Sequence, residues 1–122
     1  MEEYLVLYPN GRMNWIHTSR RNILASFYKA ISCDDLEHVT LPYGFGFVVD
    51  GCGKIKVDPQ PINSLASRLY PGTPHGDFIV GPVVFVRIEL IDGEPDWAPL
   101  RDQYIVLLEL MLGKKVPARG KA

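Results

Sequence analysis

Apolar residues along this chain switch between a spacing of two and a spacing of three to four, and the switches mark out its elements. Residues 4 to 8, Tyr-Leu-Val-Leu-Tyr, are β-prone, and Pro9-Asn10-Gly11 supplies tight-turn chemistry. Met13, Trp15 and His17 then alternate with Arg12, Asn14 and Ile16, which predicts a hairpin. Thr18 or Ser19 offers a hydroxyl that can accept from the open amides of a first helical turn, and Ile23, Leu24, Phe27, Tyr28 and Ile31 recur at helical spacing, so a helix is expected over about 19 to 31. Residues 37–42 and 45–51 read as two more strands joined through Pro42-Tyr43-Gly44, and a third is expected at 54–57, where Ile55 and Val57 alternate with Lys54 and Lys56. Tyr43, Phe45 and Phe47, spaced by two, fall on one sheet face, the pattern of a face packed against helices.

In the second half, Pro61 suits a first helical turn and Pro71-Gly72 a stop, with Ile62, Leu65, Ala66 and Leu69 giving a short helix between them. Gly81-Pro82 interrupts the most apolar stretch, so an irregular lead-in and then a strand over about 83 to 90 are expected, covered on both faces inside the sheet. Asp92-Gly93 ends that strand. Residues 94–100 lead to a last helix over about 100 to 112, in which Leu100, Tyr104, Leu107, Leu108 and Met111 share a face and Gly113 is the stop. Lys114, Lys115, Arg119 and Lys121 follow with no acid among them, so residues 114–122 are expected to form a mobile basic tail behind a single domain over 1–113. Hairpin links within a mixed succession of elements predict an α+β fold: an antiparallel or mixed sheet of five to six strands packed against two longer helices and one short helix.

Composition narrows the context. A chain of 122 residues with 47% hydrophobic and 22% charged residues is a one-domain globular protein. A formal net charge of −1 gives no overall basic field, which argues against nucleic acid as a partner except through the tail. Cys33 and Cys52 lie outside any C-x-x-C arrangement and read as structural thiols. The start, Met1-Glu2-Glu3, is acidic where a signal peptide needs basic residues, and the longest apolar run is broken by Glu109, so a cytoplasmic chain with no membrane span is expected.

The glycine-rich stretch YGFGFVVDGCGKIK, residues 43 to 56, invites a phosphate-binding reading that its spacing denies. A P-loop needs glycine five positions before Gly53 and a hydroxyl residue after Lys54; Val48 and Ile55 stand there. A dinucleotide fingerprint fails likewise, because Val49 occupies the third glycine position. Asp50-Gly51 reads instead as a hairpin turn, with Gly53 in a left-handed bulge position behind it.

Three constellations carry candidate chemistry. Arg20 and Arg21 lie where a helix start disfavours cations, and with the hydroxyls of Thr18 and Ser19 they would form an anion site suited to a small nucleotide ligand. The plainer reading sends both arginines to acids elsewhere, at a cost of a few tenths of a kcal/mol. His75 stands two residues from Asp77 in a glycine-rich loop, where a carboxylate could orient the ring for acid–base work; such pairs also form simple turns. Asp34 and Asp35 ahead of His38 read as a solvated turn. Tyr8, Trp15, Tyr43, Phe45 and Phe47 could stack bases, but without interleaved basic residues they read as core. The three histidines are far apart in sequence, no G-x-S-x-G elbow is present, and no metal or cofactor is expected.

The segments FVVDGCGK, PINSLASRL and GDFIVGPVVFV, within a stretch covering roughly residues 4 to 90, resemble a family known only as a domain of unknown function, small proteins of phages and bacterial mobile elements. The resemblance implies a phage-type accessory protein in the bacterial cytosol and supplies no catalytic residues. The last helix, PLRDQYIVLLELM, departs from the shorter ending that the family implies. The expectation is therefore a non-enzymatic protein that binds a host protein, a component of bacterial defence being one candidate, through loops and the last helix. The alternatives are a small anionic ligand at Thr18 to Arg21, catalysis at His75 and Asp77, and nucleic acid at the tail. Open strand edges and an apolar last helix also allow a homodimer.

Overall fold

The structure, a computed structural model, describes residues 1–53 and 60–120. Strands β1 (Glu2–Leu7) and β2 (Met13–Thr18) form the expected hairpin, with Leu5 opposite Trp15. Its turn is closed by Gly11 N–H donating to the Tyr8 carbonyl at 2.9 Å. Helix α1 (Ile23–Ile31) starts later than expected, because a 3-10 turn over Arg20–Asn22 precedes it. The expected hydroxyl cap does not form: Ser19 makes no side-chain cap bond, and the Thr18 hydroxyl accepts from Ser26 Oγ at 2.7 Å. Strands β3 (Leu36–Thr40) and β4 (Gly46–Asp50) follow, then the short α2 (Ser64–Leu69), β5 (Val83–Ile91), β6 (Glu94–Ala98) and α3 (Asp102–Leu112).

The result is an α+β fold with an antiparallel six-stranded sheet and three helices. Strand order is β2-β1-β5-β4-β3, and β6 pairs with the far half of β5. Val84 sits at the centre, opposite Val6 on one side and Val48 on the other. Because side chains alternate across a strand, each of these strands feeds two cores. Leu5, Leu7, Phe47, Val49, Val83 and Phe85 face α2 and α3, where Ala66, Leu69, Leu108 and Leu112 meet them. Tyr4, Val6, Val48, Val84 and Val86 face α1, where Ile23, Phe27 and Ile31 close the second core.

The aromatics Tyr43, Phe45 and Phe47 belong to the first core, Phe47 and Phe85 meeting at 5.9 Å between ring centres and Phe45 and Tyr104 at the same distance. Asn63 joins α2 to the sheet. Fully buried, it caps the helix by accepting from Ala66 N–H at 3.1 Å, and its Nδ2 donates to the carbonyls of Leu7 and Gly81 at 3.0 Å each. The irregular lead-in at Gly81-Pro82 is thereby supplied with a partner for its backbone.

Three sequence expectations are revised. Residues 94–98, read as a lead to the last helix, form β6. The strand over 83–90 is buried only as far as Val86; from Arg87 onward it leaves the sheet's cover and pairs with β6 as a two-stranded ribbon. Asp50 to Gly53 is a turn in which Gly53 N–H donates to the Asp50 carbonyl at 3.2 Å, but neither Gly51 nor Gly53 has a positive φ, so no left-handed bulge exists there. These glycines serve close approach instead: a Cβ on Gly51 would stand 2.6 Å from Asp35 Oδ2, and one on Gly53 2.8 Å from Val80 Cγ2. The strand expected at 54–57 lies outside the described residues.

The stretch expected as a mobile basic tail lies against the domain as far as Gly120. Trp15 Nε1 donates to the Pro117 carbonyl at 2.7 Å, the Arg119 guanidinium sits 4.8 Å from the Trp15 ring centre and donates to the Leu100 carbonyl at 2.7 Å, and Gly120 N–H reaches Glu3 Oε2 at 3.1 Å. Lys121 is outside the described residues. No helix among the described residues is long and apolar enough to cross a membrane.

Candidate functional site

Thr18, Ser19, Arg20 and Arg21 do not converge on a ligand space. Thr18 is buried with its hydroxyl engaged, and Arg20 is turned onto carboxylates brought in by two strands. Its guanidinium meets Glu2 Oε1 at 2.5 Å and Asp96 Oδ2 at 3.1 Å and donates to the Tyr4 hydroxyl at 3.0 Å. Tyr4 in turn donates to Glu2 Oε1 at 2.6 Å; burial first, then this carboxylate, keeps its hydroxyl protonated far above the usual phenol range. The cluster ties the starts of β1 and α1 to β6, so Arg20 takes the plainer role and meets acids from elsewhere. Arg21 alone of the pair is exposed.

His75 and Asp77 also part company. His75 is exposed on a 3-10 turn over Thr73–His75, whereas Asp77 accepts from the Tyr70 hydroxyl at 2.8 Å and from Phe78 N–H at 3.0 Å. The bond to Asp77 raises the Tyr70 pKa. Asp77 and Tyr70 line a cavity of about 190 Å³ whose other walls include Glu37, Asp50, Phe78 and Val80 but not His75. Three of its lining side chains, Glu37, Asp50 and Asp77, are carboxylates. Near it, Cys52 Sγ donates to Asp35 Oδ2 at 3.4 Å, and that bond, ahead of burial and the charges of neighbouring acids, raises the thiol's pKa. A thiol so held is a poor nucleophile. Among the described residues no group of three or more His, Cys, Asp and Glu side chains could hold a metal ion.

A further cluster has no sequence signal. Trp97 of β6 donates its Nε1 proton to His38 Nδ1 of β3 at 3.0 Å, and the two rings lie nearly parallel at 12°. Trp97 also stacks on Phe27 of α1 at 5.3 Å, with Tyr4 edge-on to Phe27 at 4.9 Å. Burial lowers the His38 pKa, which favours the neutral ring that the accepting Nδ1 requires. The residues are 59 positions apart, and the successive pairing of β3 with β4, β4 with β5 and β5 with β6 brings them together.

The outer surfaces are more distinctive than any of these interiors. Val106 (57% exposed) and Leu110 (76%) stand one turn apart on the outside of α3, lining a shallow hollow of about 340 Å³ with Glu109, Gly113, Lys114 and Lys115. Lys114 Nζ donates to the Gly11 carbonyl, and Lys115 is exposed. On the α1 side of the sheet, Leu24 and Tyr28 of α1 and Ile88 and Leu90 of the ribbon are exposed. Comparison with protein-family models, curated proteins and solved structures finds no match to this chain.

Proposed function

We propose that this chain is a phage-type accessory protein that acts by binding a host protein, with the outer face of α3 as its contact surface. The exposed pair Val106 and Leu110 carries this reading. Burying an aliphatic side chain of this size contributes about 1.5–3 kcal/mol, and here two lie one helical turn apart over a helix whose inner residues Leu108 and Leu112 are fully committed to the core. Lys114 and Lys115 border the hollow on its C-terminal side, which suits a partner carrying acidic groups around an apolar centre. The resemblance to small phage and mobile-element proteins directs the search to bacterial host proteins, defence components among them. A small anionic ligand at the start of α1 is disfavoured by the engagement of Arg20 with Glu2 and Asp96.

Affinity capture from bacterial lysate tests the proposal. A host protein retained by the wild type should be lost with Leu110→Glu and kept with Leu24→Glu, whose side chain lies on the opposite side of the sheet. Retention unaffected by Leu110→Glu, or no protein retained by the wild type, overturns it.

A further inference from the structure

On one side the sheet ends in β2, and that edge is bare. The hairpin sets the phase: Tyr8 N–H donates to the Arg12 carbonyl at 2.9 Å, so Val6 with Asn14 and Tyr4 with Ile16 exchange the ladder's bonds, and the backbone groups of the alternate residues turn away from β1. The Leu7 carbonyl, opposite Met13, accordingly points off the hairpin on the β1 side and is taken by Asn63. Met13, Trp15 and His17 therefore aim three N–H and three C=O groups outward, about 6.8 Å apart. No hydrogen bond reaches any of the six among the described residues. The edge also lacks the usual protection of strand edges: β2 contains no proline and no lysine, and its register with β1 runs without a bulge from Thr18 to Met13.

Beside this edge, between β2 and α1, lies a hollow of about 560 Å³ whose walls include Tyr8, Ile16, Ser26, Lys29 and Ala30. A second hollow of about 690 Å³ at the hairpin turn shares Tyr8 with it and includes Arg12, Asn14 and Pro61. The exposed cations Lys29 and Arg12 line these spaces, and no carboxylate does. The acids nearby are set apart: Asp34 lines a neighbouring hollow with Tyr28 and Cys33, and Glu3, opposite His17, lies on the α2/α3 side and accepts from Gly120 N–H. Outward groups at this spacing are matched by an extended chain, and a second copy joining through the same edge would bring its own cations with no acid to meet them. We infer that the β2 edge takes an extended, acidic peptide segment of a partner protein as an added strand. The peptide backbone pairs with Met13, Trp15 and His17; alternate side chains enter the hollows, an apolar one against Ile16 and Ala30 and acidic ones toward Lys29 and Arg12. These hollows share no residue with the one on α3, so the inference does not depend on the function proposed above.

Selection of a random dodecapeptide display library on the immobilised full chain, followed by amide hydrogen exchange with the strongest peptide, tests this. Selected peptides should be richer in Asp and Glu than the library. Saturation should slow exchange of the Met13, Trp15 and His17 amides at least about tenfold, whereas Asn14 and Ile16, already bonded to β1, should change little. N-methylation at alternate peptide positions should abolish binding in one phase and spare it in the other, because only every second amide of an added strand faces β2. His17→Pro, which an edge strand tolerates, removes an edge donor and should raise the dissociation constant at least about tenfold. Lys29→Glu should weaken binding without touching the edge, and Leu110→Glu should leave it unchanged. A library that yields no peptide, or peptides with no acidic bias, overturns the inference. So do edge amides whose exchange ignores the peptide, N-methylation equally harmful in both phases, or binding lost with Leu110→Glu and kept with Lys29→Glu.

Discussion

The two sides of the sheet are finished differently. On the α2/α3 side an interior rich in aromatic rings is covered by two helices and sealed by residues 116 to 120, which bring a carbonyl to Trp15 Nε1 and a guanidinium over its ring. On the α1 side one nine-residue helix covers a smaller core, and the remaining connections are directional: Arg20 between Glu2 and Asp96, and Trp97 between His38 and Phe27. Packing is tolerant of small shifts and sums over many contacts, whereas a few polar bonds depend on their geometry and on pH. The closed side therefore supplies most of the stability, and the open side leaves a ribbon and an apolar strip exposed.

Removing a ring from each core makes the contrast measurable. Phe47→Ala should cost about 3–5 kcal/mol in denaturant unfolding, the usual range for a buried ring. Phe27→Ala should fall toward the lower end of that range, because the thinner cover can relax, and should also alter Trp97 emission by removing its stacking partner. A larger loss for Phe27→Ala than for Phe47→Ala would reverse the ranking of the two sides. Asn63→Ala comes next: it removes a helix cap and leaves the buried carbonyls of Leu7 and Gly81 without their side-chain donor, for an expected loss of about 2–3 kcal/mol. A loss below about 0.5 kcal/mol would mean that water replaces the amide there.

Smaller effects belong to the open side. Gly93→Ala should cost about 1 kcal/mol, because Gly93 has a φ of +82° with nothing within 4 Å of a Cβ, so the strain is in the backbone alone. Gly93→Asn should cost less, since asparagine tolerates that region better. The last effect is a pH dependence. With the His38 pKa lowered in the fold, the unfolded chain takes up its proton first as pH falls below about 6.5. Stability should decline from there and level off once the folded ring is itself protonated. His38→Gln, which keeps an acceptor for the Trp97 indole, should flatten that part of the profile; a wild-type profile identical to that of the variant would remove His38 from the account.

Much of the framework was legible in the sequence because periodicity reports burial. The β1–β2 hairpin and α3 stand where their apolar spacing put them, α1 and the short α2 begin later than expected, at Ile23 and, beyond Pro61, at Ser64, and Tyr43, Phe45 and Phe47 do share a packed face. Strand β6 was not legible: Glu94-Pro95-Asp96-Trp97-Ala98 has little β propensity, and its strand character comes from pairing with β5. The two Asp-Gly pairs show the same limit. Asp92 and Gly93 both take positive φ and turn a true hairpin, whereas Asp50-Gly51 belongs to a turn whose glycines are required by Asp35 and Val80, residues distant in sequence. The candidate sites suffered most, since the partners of Arg20 (Glu2 and Asp96) and of His38 (Trp97) are assembled only by the sheet.

The proposed contact at α3 is tested most directly by placing a photo-cross-linking residue at position 106 and, as a control, at the exposed position 68 of α2, then irradiating in bacterial lysate. A discrete host protein joined at 106 and absent at 68 is the expected result. Identical cross-linking at the two positions, or none at 106, would contradict the assignment of that face to a partner.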